Sequence, residues 1–151
     1  MGGIMEVYLS IAFGFVLGLV ATLISRWLDS EKEERDNAAY NRKVVGSLVK
    51  EVEEGVERVR TMVKIRSEQK VSMSRIYTAL WQSTNQRLAS TLADGETLTL
   101  LHGIYYRFDL VNFNCEMNRP SAAGAFAAQY LPTLEADLAS LKSAQLASAA
   151  K

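Results

Sequence analysis

The stretch VGSLVKEVEEGVERVRTMV, residues 45–63, decides the fold. Val45, Val49, Val52, Val56, Val59 and Val63 recur at alternating steps of four and three, which on a helix forms one continuous seam. Leu48 and Met62 widen the seam into a core-facing stripe. Gly46 and Gly55 each weaken a helix by about 1 kcal/mol relative to Ala, so packing must hold this one together. Glu51, Glu53, Glu54 and Glu57 fall between the apolar positions and read as a solvated face. The helix is expected to run to about Ile65.

Downstream, the same 3.6-residue rhythm continues. Ser72 or Ser74 is placed to cap a helix whose inner face uses Ile76, Leu80, Leu88 and Leu92, with Tyr77 and Trp81 alongside. Asp94-Gly95 reads as its break signal. A third helix spans about Glu96 to Asn118, and Arg119-Pro120-Ser121 turns the chain. A last helix sets Tyr130, Leu134, Leu138 and Leu141 on one side, with Pro132 marking its start or a kink. No run shows the sustained alternation of a strand. Ala and Ser dominate from Ala139 to Lys151, so the end is expected to fray.

The third helix carries two apolar stripes. Leu101, Ile104, Phe108, Val111 and Cys115 form one, and Tyr106, Leu110, Phe113 and Met117 the other. At about 100° per residue, Phe108 and Leu110 point to nearly opposite sides. A helix in a four-membered bundle needs one apolar face, so the second stripe is read as a candidate oligomer interface.

Upstream, the residues from Val7 to Ser25 carry no charge. That length suits a membrane-spanning helix, which needs about 20 residues for a hydrocarbon layer of roughly 30 Å. Tyr8 and Trp27 sit near the two ends, where such rings favour the headgroup layer. Ser10, Gly14, Gly18 and Thr22 repeat every fourth position and form a groove that admits a second helix backbone closely. Glu6 is the only charged side chain before the run, whereas Arg26, Lys32, Arg35, Arg42 and Lys43 follow it. The positive-inside rule then sets the amino terminus outside and the rest in the cytoplasm, at the inner (plasma) membrane. A cleaved secretory signal would need a basic n-region and a small-residue cleavage site, and neither is present. Ser30-Glu31-Lys32-Glu33 matches a capping box, predicting a helix start or a bend below the membrane.

The expected architecture is therefore all-α. A single transmembrane helix (1–28) leads through a charged helix or linker (29–43) into a cytoplasmic antiparallel four-helix bundle (44–151). A domain of that size is ordinary. Net charge is zero, so no global pull toward nucleic acid follows. The single cysteine excludes an intrachain disulfide framework and suits a reducing compartment.

Catalytic chemistry finds little footing. His102 and Cys115 are the only residues of their kinds, and thirteen residues along one helix separate them by roughly 20 Å. No metal-ligand spacing, phosphate loop or Glu-x-x-His pair occurs, so no metal, no cofactor and no enzyme are expected. Met1-Gly2-Gly3 departs from the myristoylation pattern, which wants Ser or Thr where Glu6 stands. The least weak chemical signal is basic: Arg58, Arg60, Lys64, Arg66, Lys70 and Arg75 cluster around a helix end and the following turn. The helix macrodipole by itself favours cations there. The sharper expectation is a phosphate or nucleotide site, with Tyr77, Trp81, Tyr106 and Arg107 to stack or clamp.

Three functions are consistent with these features. The first is a membrane-anchored protein that oligomerises or scaffolds a partner at the cytoplasmic face. The second is a ligand-gated membrane effector whose cytoplasmic domain binds an anionic cyclic nucleotide, a layout shared with small membrane effectors of bacterial antiviral defence. The third is an accessory subunit of a larger membrane complex.

Overall fold

The valine seam is buried as its spacing requires: Val49, Val52, Val56 and Val59 lose nearly all solvent contact, as do Leu48 and Met62. The computed structural model describes the backbone of residues 2–67 and 75–149, and side chains for 15–66 and 75–147. Four α-helices account for nearly all of it: α1 (Gly2–Ser67), α2 (Ala79–Thr91), α3 (Gly95–Glu116) and α4 (Pro120–Ala149). No strand occurs among the described residues. The chain divides into two units, Met1–Ala39 and Tyr40–Lys151.

In the first unit, helix runs through Ser30 without a new start, so of the two capping-box readings the separate start is corrected and one long helix remains. The physical reason is local. Glu, Lys, Arg and Ala surround Ser30 without Gly or Pro, and Arg35 pairs with Glu31 one turn earlier. Thr22 donates its hydroxyl to the Gly18 carbonyl at 2.8 Å, and the face at Gly18 is open. Ser10, Gly14 and Tyr8 lie outside the residues with described side chains. Among the described residues, no helix is long and apolar enough to cross a membrane. The part of the uncharged run with described side chains, from Phe15 to Ser25, is shorter than the roughly 20 residues a bilayer requires.

In the second unit, α1 from Tyr40 onward is flanked by antiparallel neighbours. Along α4, Glu53 meets Lys142, Arg60 meets Glu135 at 2.7 Å, and Arg66 reaches the Gly124 carbonyl at 3.2 Å. Along α2, Asn41 bonds the Thr91 carbonyl at 2.9 Å and Glu51 bonds the first amides of the helix. The core joins all four helices: Leu48, Val52 and Val59 of α1, Leu88 of α2, Ile104 and Phe108 of α3, and Leu134 and Leu141 of α4. Among the described residues, no buried side-chain nitrogen or oxygen lacks a partner.

Several boundaries differ from the sequence expectation. Ile76 is buried, yet it precedes α2 instead of belonging to it. Asn112 of α3 explains this, because its side chain accepts from the Ile76 amide at 2.8 Å and donates to the Ile76 carbonyl at 2.9 Å. Those two groups are thereby held away from helical pairing. Ser72 and Ser74 lie outside the described residues. Asp94 is not a stop for α2, which ends at Thr91; it starts α3, accepting from the amides of Glu96 and Thr97 and from the Thr97 hydroxyl. The α3–α4 turn is built on Asn118 at φ 53°, with Asn118 bonding Cys115 and Arg119 bonding Asn114. That is the hydrogen-bond pair of a Schellman turn, with Asn in the left-handed place. Pro120 begins α4, and the helix passes through Pro132 without restarting there.

Candidate functional site

The basic cluster disperses over the surface. Arg60 of α1 holds Glu57 and Glu135, and this pairing raises its pKa. Arg107 of α3 holds Asp137 of α4 at 2.8 Å, and Arg75 holds Glu116 at 3.0 Å. Arg66 donates to the Gly124 carbonyl. Lys64 is exposed on α1, and Lys70 lies outside the described residues. Arg58 and Arg75 do meet: the Arg58 guanidinium donates to the Arg75 carbonyl at 3.3 Å and lies 4.5 Å over the Tyr77 ring. Arg60 and Arg107 instead reach separate carboxylates on α4. Between the two α1–α4 ion pairs runs an open groove of about 400 Å³, floored by Val56, Leu138 and Ala139.

Trp81 is buried, not displayed for a ligand. Its ring stacks on Tyr105 at 4.7 Å with an interplanar angle of 1°, and His102 meets it edge-on at 4.8 Å. The aromatic series continues inward from Tyr105 to Phe108 at 5.8 Å. Cys115 is also buried, and burial together with Glu116 pushes its thiol pKa up, which keeps it protonated. Among the described residues no group of three His, Cys, Asp or Glu side chains could hold a metal ion.

One polar centre escaped the sequence reading. Glu51 is not a solvated carboxylate. It accepts from the Leu80 amide at 3.0 Å, the Trp81 amide at 3.3 Å and the Tyr105 hydroxyl at 2.8 Å. It therefore caps α2 from another helix, a task the side chain of Thr78, the residue before α2, does not perform. Burial first, then the Glu51 bond and charge, pushes the Tyr105 phenol far above its usual pKa. The signal was present. Glu51 follows Leu48 by three and precedes Gly55 by four, on the edge that Leu48 and Met62 had already widened.

The two stripes of α3 separate cleanly. Leu101, Ile104, Phe108, Val111 and Cys115 are buried, whereas Tyr106, Phe113 and Met117 are 65%, 53% and 50% exposed and Leu110 is half-buried. In the first unit, nine large apolar side chains between Phe15 and Leu28 are 45–68% exposed and cover well over half of α1, with Gly18, Ala21, Thr22 and Ser25 on the remaining face. Two apolar surfaces thus stand out, one in each unit. Comparison with protein-family models, curated proteins and solved structures returned no match.

Proposed function

We propose that this chain is a non-enzymatic, single-pass membrane protein that associates with itself or a partner at the cytoplasmic face. Its helical unit, Tyr40–Lys151, is an antiparallel four-helix bundle held there by α1. The observation that carries this reading is the exposure of Phe15, Leu17, Val20, Trp27 and their large apolar neighbours over well more than half the circumference of α1, with small residues, Gly18, Ala21, Thr22 and Ser25, on the rest. Burial of each large apolar side chain is worth about 1.5–3 kcal/mol, so water is a poor surrounding for nine of them. A protein partner covers one stripe of a helix, narrower than this arc; lipid covers the whole arc and leaves the small-residue face for another helix. Joined to the apolar residues from Val7 onward, the segment is long enough to cross a bilayer.

Orientation follows from Arg26, Lys32, Arg35, Arg42 and Lys43 on the carboxy-terminal side. Interaction is favoured over binding of an anionic messenger because Arg60, Arg75 and Arg107 already hold carboxylates. The test is flotation of the full chain, synthesised with phospholipid vesicles, through a density gradient. The wild-type chain is expected to rise with the vesicles, and a Leu17→Arg/Val20→Arg chain to remain below. Wild-type chain left at the bottom would overturn the proposal.

A further inference from the structure

The shortest helix, α2, is fastened by its neighbours more than by itself. At 13 residues it is close to the length at which an isolated helix is marginal in water. Its own ends add little. The Thr78 side chain makes no cap bond, the first turn has no acidic residue and the last turn no basic one. Only Trp81, Thr84 and Leu88 are buried, while Gln82, Ser83, Gln86, Arg87 and Ser90 are exposed.

The fastenings divide between α3 and α1. The points that bound the segment belong to α3: Asn112 holds both main-chain groups of Ile76, and Asp94 caps the first turn of α3 itself. The side chains that bond α2 from outside come from α1. At one end Glu51 takes the Leu80 and Trp81 amides. At the other, Asn41 donates to the Thr91 carbonyl and accepts from the Thr91 hydroxyl, each at 2.9 Å. Beside it the Arg87 guanidinium lies 3.7 Å over the Tyr40 ring. Glu51 keeps a partner even without α2, because Tyr105 of α3 also donates to it.

We infer that α2 is a strap, hinged on α3 at Ile76 and Asp94 and latched to α1 at Glu51 and Asn41. It leaves as one unit while α1, α3 and α4 stay packed. A segment opens short of global unfolding when few buried apolar contacts hold it. The strap contributes Trp81 and Leu88, whereas the valine seam, Leu101, Phe108, Leu134 and Leu141 remain together without it. So short a helix does not persist half-melted, since a remnant of it lacks the length that offsets nucleation. Release of either latch therefore loosens both ends. Opening bares the Tyr105 ring on which Trp81 stacks, so the strap controls access to that side of the core. It is a property of the Tyr40–Lys151 unit and does not depend on the anchor.

The test is hydrogen–deuterium exchange of the full chain in detergent, read by mass spectrometry on peptides from α2 and α3. In the wild-type chain, amides from Gln82 to Thr91 are expected to be at least ten-fold less protected than those from Ile104 to Val111. Glu51→Gln and Asn41→Ala cut one latch each, and circular dichroism checks that the helices remain. Each is expected to lower α2 protection at least five-fold further at both its ends, with α3 unchanged within two-fold. Where one variant fails to fold, the other carries the test. Equal protection of α2 and α3 in the wild-type chain overturns the strap, as does a folded variant that leaves α2 unchanged or loosens both helices alike. Loosening confined to the end nearest the substitution is fraying, and it overturns release as a unit.

Discussion

Gly55 is the residue whose substitution is most directly readable. A Cβ there would stand 2.5 Å from Phe108 Cζ and 2.6 Å from Cε2, and the Phe108 ring is fully buried against Tyr105. Overpacking costs about 1–3 kcal/mol, against about 1 kcal/mol of helix propensity gained by Gly→Ala. Gly55→Ala is therefore expected to lower stability by up to about 2 kcal/mol in urea unfolding of the full chain in detergent. A midpoint above wild type would contradict the close approach. Asn112 is the second such position, since it satisfies both main-chain groups of Ile76. Asn112→Leu should cost about 2–4 kcal/mol, because each buried group left unpaired costs about 1–3 kcal/mol. Neither position announced its role in the sequence. Gly55 looked like a weak point in a helix, and Asn112 belongs to neither apolar stripe of α3. Both roles depend on neighbours dozens of residues away, which periodicity along one helix does not encode.

Among the helices, α2 and α3 show how caps are found and missed. The start of α3 is local: Asp94 reaches the Glu96 and Thr97 amides, and its carboxyl pKa is held down by the Thr97 hydroxyl first and those amides after it. The lowered value means that the folded state favours the carboxylate. Its contribution is thus present above the ordinary carboxylate pKa near 4 and is lost as pH falls through the folded value. Asp94→Asn keeps a capping side chain but removes the titration. Its stability is expected to fall less steeply between about pH 5 and pH 3 than that of wild type. Equal slopes would contradict the assignment. The start of α2 is remote, since its cap is Glu51 on α1, and no reading confined to residues 70–80 could supply it. The antiparallel α1–α4 ion pairs are half-exposed, as for Arg60 and Glu135, so they specify register more than they stabilise. Arg60→Ala is expected to change unfolding by less than about 1 kcal/mol. A larger loss would mean the groove beside Val56 depends on the pair.

For the whole molecule, the helical class and the valine seam were legible because 3.6-residue periodicity is a property of each helix alone. The two faces of α3 were legible for the same reason. The basic cluster was not: proximity in sequence suggested convergence, but Arg60 and Arg107 point to α4 while Arg75 pairs within the α3 side. At Ser30 the sequence left a new start and one long helix open, and the long helix forms because a capping motif inside strong helix formers is absorbed into the helix. What remains is a chain with two exposed apolar surfaces, one over most of α1 from Phe15 to Leu28 and one along α3. The most direct test is protease treatment of sealed inside-out membrane vesicles carrying the full chain. Digestion of the Tyr40–Lys151 unit, with a lipid-protected fragment ending near Trp27, is the expected result. Complete digestion without a protected fragment, or complete protection of the helical unit, would contradict an anchored protein facing the cytoplasm.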